Sequence, residues 1–248
     1  MRVQTKPSEE RPFLTAEWRN LVMLNYEVDP ASLARYVPQG TRVDSFGGKT
    51  FVSLIGFQFL STKLGGRLAI PFHSNFDEVN LRFYVRREVG GEIRRGVVFV
   101  SEIVPRLAIA VVARVAYNEN YSCYPMAHGL SLDGERRTFR YSWGRRQQRY
   151  ALEAQTIGEP KQLVVGSAEQ FITEHYWGYA KQRDGGTVEY RVAHEPWRVW
   201  NVIAANFEGT PEVLYGAEFE QALSAKPYSA FVADGSAVQV FSGKKLAR

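Results

Sequence analysis

Short runs rich in Val, Ile, Phe and Tyr, cut at intervals by turn residues, constrain this chain more than anything else in it. The cuts are Gly47-Gly48, Gly90-Gly91, Asp133-Gly134, Asp184-Gly185-Gly186 and Asp234-Gly235, and each offers the backbone freedom that a tight hairpin requires. Hairpins join antiparallel strands, whereas parallel strands need a long, usually helical, crossover. The spacing therefore predicts an antiparallel sandwich or barrel, and no repeat or low-complexity linker divides it. With 248 residues and 45% hydrophobic content, the chain can bury a large core as one domain. That domain is expected over 13–248, behind a disordered tail of 1–12.

Helices are few, so the fold class is α+β, mainly antiparallel β, with short helices covering the β core. Asp29-Pro30 reads as an N-cap followed by proline at the first helical position, and Pro38 and Gly40 end that helix. Helices are also expected over 106–117, from Ser167 through Glu174 on a capping box with Gln170, and over 211–223.

The formal charge of +5 comes from arginine, since only eight of the 31 basic residues are lysine. The arginines cluster at Arg86-Arg87, Arg94-Arg95, Arg136-Arg137, Arg140, Arg145-Arg146 and Arg149, around the turn signals Gly90-Gly91 and Gly144. Such hairpin ends suit phosphates or another acidic surface. Glu88, Glu92 and Glu135 lie among them, and no nucleic-acid motif accompanies them, so a solvated face is the plainer reading and nucleic acid is not an expected partner. The lone Cys123 excludes an intrachain disulfide framework and suits a reducing, cytoplasmic location. Residues 1–12 carry no apolar run and no stretch of eighteen apolar residues occurs, so neither a secretory leader nor a membrane is expected.

From Asp77 to Arg86 the chain alternates strictly. Val79, Leu81, Phe83 and Val85 form one face, and Glu78, Asn80, Arg82, Tyr84 and Arg86 the other. The first face is core; the second meets either bulk water or a polar cavity. A carboxylate, an amide and a guanidinium at i, i+2 and i+4 can converge on one small anionic or carbonyl ligand if the sheet curls around them. His73, His128, His175 and His194 lack metal-ligand spacing, and no metal or other cofactor is expected. His175 sits in the aromatic stretch Glu174-His175-Tyr176-Trp177-Gly178-Tyr179, whose polar tips can meet a ligand or serve packing alone. No nucleophile elbow, phosphate-binding glycine loop or dinucleotide fingerprint is present. Cys123 has no evident base beside it and reads as a small buried thiol.

Two blocks resemble the acetoacetate decarboxylase-like superfamily: Tyr26-Glu27-Val28-Asp29-Pro30 through Leu33, Val37-Pro38 and Val43-Asp44, and Ala108-Ile109-Ala110-Val111 followed by Tyr124-Pro125. A closer resemblance is to its YqjF-like branch, the DUF2071 family. It rests on Phe13-Leu14-Thr15-Ala16-Glu17-Trp18-Arg19-Asn20-Leu21, Asn75-Phe76-Asp77-Glu78-Val79-Asn80-Leu81-Arg82, the 174–179 stretch and Trp197-Arg198-Val199-Trp200. It covers the chain from Pro12 onward, and implies a closed, cone-like β barrel with a central cavity and, commonly, a homo-oligomer. In the superfamily's enzymes a lysine forms a Schiff base with a β-keto acid while a neighbouring lysine depresses its pKa. Met126-Ala127 stand where that pair is expected, so the resemblance does not carry Schiff-base decarboxylation with it. Arg19 matches the superfamily's substrate-carboxylate arginine and can equally hold a structural ion pair, and Ser53 falls where the decarboxylases have a glutamate, which Glu78 or Glu102 can replace.

Three readings follow. The first is a cofactor-free barrel binding an anionic or carbonyl ligand through Arg19, Glu78, Asn80, Arg82 and His175, with Tyr124 and Met126 as cavity wall. The second is a lysine-independent enzyme acting on a keto or carboxylic acid with Glu78 as catalytic proton acceptor. The third is an interaction module using the arginine clusters.

Overall fold

The computed structural model describes residues 11–69, 73–105 and 120–247. The helix expected over 106–117 lies outside them. Long strands dominate: β1 (Leu14–Glu27), β3 (Phe51–Leu64), β5 (Phe76–Val89) and β6 (Glu92–Val104), with short β2 (Arg42–Val43) and β4 (Leu68–Ala69) along their edges. There follow β7 (Tyr121–Cys123), β8 (Met126–Asp133), β9 (Arg136–Arg145), β10 (Gln148–Ile157) and β11 (Lys161–Gln162). The chain ends with β12 (Trp177–Lys181), β13 (Thr187–His194), β14 (Arg198–Glu208), β15 (Ser229–Val240) and β16 (Lys244–Lys245).

Pairing runs β13-β12-β6-β5-β3-β1-β15, and β15 then pairs with β13 through Val192↔Val240 to His194↔Val238. The circuit is closed, and its pairs are antiparallel except β12 with β6, which are parallel at Trp177↔Gly96 and Gly178↔Val97. From β15 a second arm, β14-β10-β9-β8, continues the sheet and lays Phe139, Tyr141, Trp143 and Leu152 against the outer face of the circuit.

Side chains alternate along a strand, so β1, β3 and β5 serve two cores. Val22, Leu24, Val52, Leu54, Val79, Leu81, Phe83 and Val85 pack outward against the second arm. Leu21, Met23, Ile55, Phe57, Phe59 and Tyr84 pack inward, with Trp18, Phe171 and Trp197.

The hairpin turns fall as expected at Gly90-Gly91, Gly134 and Gly185. Asp234-Gly235 is different, because it lies inside β15 rather than at a turn. Gly235 has φ +83, and a Cβ there would stand 1.9 Å from the Trp18 carbonyl oxygen, so the glycine is required by a bend, where β15 leaves β14 and joins β13. Gly144 likewise lies within β9, and the turn beyond it is Arg146-Gln147.

Among the described residues, four short α-helices and one 3₁₀ turn cover the sheet. Helix α1 (Pro30–Leu33) is capped by Asp29, which accepts from the Ala31 amide, and buries Leu33. Helix α2 (Ala168–Thr173) is capped by Ser167, which accepts from the Gln170 amide; the Gln170 side chain accepts from the Gly166 amide rather than closing a reciprocal box. Between Pro211 and Ser224 the expected single helix is broken into α3 (Pro211–Tyr215), a 3₁₀ turn (Ala217–Phe219) and α4 (Glu220–Ser224), with Gly216 at φ +104 as the break.

Candidate functional site

Strand β5 turns Glu78, Asn80, Arg82 and Tyr84 to the inside of the circuit, and all four are buried. The polar face of the Asp77–Arg86 alternation therefore meets an interior. Arg86 alone of that face reaches the rim, 3.8 Å from the buried Asp44.

The inner polar groups are incompletely paired. The Asn80 amide nitrogen donates to Glu78 Oε1 at 3.0 Å and the Tyr121 hydroxyl to Glu78 Oε2 at 3.3 Å, but Asn80 Oδ1 is buried without a partner among the described residues. Arg82 donates from Nη2 to the Ile172 carbonyl at 3.1 Å. Its Nε is buried, and among the described residues it has no hydrogen-bond partner and no carboxylate forms an ion pair with the side chain. Burial pushes the Glu78 carboxyl up to about 7, while the hydrogen bonds from Asn80 and Tyr121 and the Arg82 charge pull the other way. Across the strand pair from Asn80, Glu102 is buried on β6.

Helix α2 delivers the next layer. Its end places the Ile172 carbonyl on Arg82 and sets His175 4.6 Å from the Tyr84 ring. Burial, then the charges of Arg82 and Arg95, hold His175 well below the ordinary histidine range; the Ile172 carbonyl acts in the opposite direction. Among the described residues, neither ring nitrogen reaches a hydrogen bond of normal geometry. His194 donates from Nδ1 to the Glu195 carbonyl and stacks 4.4 Å from Trp197, and burial lowers its pKa to about 4. Both imidazoles are neutral at pH 7.

Beneath Tyr84 runs a sealed hydrogen-bond chain. Asn25 donates from Nδ2 to Ser229 Oγ, so its Oδ1 receives the Ser53 hydroxyl at 2.6 Å. That occupies the Ser53 proton, and the Tyr84 hydroxyl must donate to Ser53 Oγ at 2.6 Å. Ser53 is thus part of a buried scaffold fixing Tyr84.

A cavity of about 150 Å³ lies against Glu78, Asn80 and Arg82. Every strand of the circuit contributes a wall: Trp18 from β1, Phe57 and Phe59 from β3, Phe99 from β6, Trp177 from β12, Tyr190 and His194 from β13, and Val240 from β15. An outer groove of about 1250 Å³ shares Trp177, Val192 and His194 with it as lining residues.

Of the residues singled out from the sequence, the structure brings together Glu78, Asn80, Arg82 and His175. Arg19 stands apart: it pairs with Glu17 at 2.8 Å, donates to the Gly235 carbonyl and is 39% exposed. The cause is a bulge after it, with Asn20 at φ +56 and a register shift between Arg19 and Val22, which places Trp18 on the inner wall instead. Tyr124 and Met126 lie against the outer core, Tyr124 under the Arg145 guanidinium and Met126 in a surface depression with Arg140. Neither lines the cavity. Trp18, Phe57, Phe59, Tyr121, Thr173 and His194 do, and the sequence reading left them out; the i, i+2 run of Ser53, Ile55, Phe57 and Phe59 was the available signal.

The seven lysines among the described residues also stand outside. Lys49 pairs with Glu27, Lys181 donates to the Arg35 carbonyl and Lys245 meets Asp184 at 3.4 Å, while Lys63, Lys161, Lys226 and Lys244 are exposed. Many of the arginines are tied to carboxylates: Arg95 to Asp44, Arg87 and Arg94 to Glu189, Arg137 to Glu159, and Arg140 to Glu153 and Glu208. Among the described residues, no group of three or more His, Cys, Asp or Glu could hold a metal, and no helix is long and apolar enough to cross a membrane.

Comparison with known proteins agrees with this architecture. A curated relative, the uncharacterized protein YqjF of Bacillus subtilis (strain 168), is 23% identical over 193 residues, 75% of either chain. Among solved structures, an acetoacetate decarboxylase-like enzyme from Sphingomonas wittichii RW1 superposes with a TM-score of 0.65 at 12% identity, covering 99% of this chain and 98% of the other. Acetoacetate decarboxylase from Legionella pneumophila gives 0.66 at 13%, covering 100% and 92%. The enduracididine biosynthesis enzyme MppR, complexed with pyruvate, gives 0.62 at 12%, covering 98% and 93%. These likenesses establish a shared acetoacetate decarboxylase-like fold. The model of the DUF2071 family, described as an uncharacterized conserved protein, matches residues 15–237, and the chain belongs to that family.

Proposed function

We propose that the interior of the closed circuit, read as a cone-like barrel, is a binding site for a small anionic or carbonyl-bearing molecule. One observation carries the reading: Arg82 is buried beside the cavity and, among the described residues, its Nε has no partner and no carboxylate forms an ion pair with it. A buried charge is ordinarily paired, and a bound carboxylate or carbonyl completes this one, oriented by Asn80 and Glu78. The lysine placement argues against a Schiff base, since the cavity walls carry no amine among the described residues. Small keto acids come to this chain through fold likeness to a pyruvate complex and enter as members of a test panel.

The test is calorimetric titration and thermal shift with short carboxylates and keto acids. Saturable binding that raises the melting temperature and weakens at least tenfold in Arg82→Gln is expected. Equal binding by that variant, or no binding by any acid, sinks the reading.

Glu78 favours a second reading. A carboxyl with a pKa of about 7 exchanges protons readily at neutral pH, which suits proton abstraction beside a carbonyl polarised by Arg82. In that case Glu78→Gln binds the acid but no longer exchanges the α-protons of a keto acid into deuterated water. Borohydride trapping with the same acid is expected to leave every lysine unmodified.

A further inference from the structure

We infer that the cavity takes a flat aromatic monocarboxylate of benzoate size; this rests on the binding reading above and names its ligand class. Size comes first. About 150 Å³ is the volume at which an engineered apolar cavity in another protein holds benzene, so one six-membered ring fills it, whereas a short aliphatic acid leaves wall atoms without contacts.

The walls are aromatic and cross one another at steep angles. Trp18 meets Phe57 at 5.4 Å and 73°, Phe59 at 5.7 Å and 78°, and Trp197 at 6.2 Å and 63°. Faces and edges set in this way receive a planar ring by stacking and edge contact, while a puckered ring of equal size presents hydrogens to every face.

Charge fixes the other end. Arg82 supplies one cation, and Glu78, in its protonated form, donates a hydrogen bond to an incoming carboxylate rather than repelling it. A second carboxylate on the ligand would be buried against Trp and Phe with no partner. The ligand is therefore a monoanion.

Ligand-observed NMR and calorimetry on the full chain test this with four probes: benzoate, cyclohexanecarboxylate, pyruvate and terephthalate. Benzoate is expected to bind at least tenfold more tightly than each of the others, with saturation transfer to its ring protons, and to lose that affinity in Arg82→Gln. If pyruvate or cyclohexanecarboxylate binds as well as benzoate in an Arg82-dependent manner, the aromatic assignment is overturned and the anion site stands. Tight terephthalate binding overturns the monoanion assignment. If no probe binds wild type, both fall. Should Arg82→Gln not fold, Arg82→Lys replaces it, and unchanged benzoate affinity in that variant overturns recognition by the Arg82 guanidinium.

Discussion

At the scale of single residues, the interior is decided by which groups keep their charge. Glu78 has its native pKa raised to about 7 by burial, so folding favours its protonated form. The sign follows: between its ordinary value and about 7 the native state holds a proton that the unfolded chain has lost, and stability falls as pH rises through that window. His175 and His194 do the reverse. Their native pKa values are lowered, the unfolded chain binds the extra protons, and stability rises with pH up to the ordinary histidine value of about 6.5. The two trends oppose each other in wild type. Glu78→Gln removes the first, so its melting temperature should climb more steeply between pH 4.5 and 6.5 than that of wild type and stay level from 6.5 to 7.5. The gain should be largest above pH 7. Parallel melting curves across pH would mean that Glu78 is not held in its protonated form.

At the scale of elements, the circuit closes at a short parallel seam between β6 and β12, and glycine makes that seam possible. A Cβ on Gly178 would stand 2.1 Å from the Tyr190 ring, and one on Gly96 would stand 2.6 Å from the Tyr179 ring and 2.7 Å from the Trp177 carbonyl. Overpacking of this kind costs about 1–3 kcal/mol, so both alanine variants should unfold earlier in denaturant. They should differ in binding. Tyr190 lines the cavity, whereas Tyr179 packs in the outer core with its hydroxyl on Glu189; acid binding should therefore weaken in Gly178→Ala and persist in Gly96→Ala. These seam contacts were not legible in the sequence, because a glycine in a strand does not announce which neighbour approaches it. The hairpins were legible, since Gly90-Gly91 and Asp133-Gly134 carry their turn chemistry locally, and so was the β5 alternation that put Glu78, Asn80 and Arg82 on one face. Whether that face met water depended on strands far along the chain. Arg19 shows the limit most clearly: a match by position along the chain does not say which way the side chain faces, and a single bulge at Asn20 puts a tryptophan inward in place of the arginine. Asp234-Gly235 failed for a related reason, because the same dipeptide serves a hairpin or a mid-strand bend and only the approach of the Trp18 carbonyl distinguishes them.

At the scale of the whole molecule, two cores share the same strands. Leu54 and Ile55 are neighbours on β3 and both are buried, yet Leu54 packs outward against the second arm while Ile55 packs inward beside the cavity. The second arm has no independent route to stability, since the outer face of β1, β3 and β5 is half of its core; nor can the circuit keep that face exposed without leaving Val52, Leu54, Leu81 and Phe83 in water. The two layers should therefore unfold together. Leu54→Ala and Ile55→Ala should each cost about 2–5 kcal/mol and lower one common midpoint in guanidinium, with tryptophan fluorescence and far-ultraviolet dichroism tracing the same curve. The circuit carries Trp18, Trp177 and Trp197, and the outer layer Trp143 and Trp200. If the layers melted separately, Leu54→Ala would split the fluorescence transition in two while leaving acid binding intact through the first step, and the single-domain assignment of 13–248 would fail.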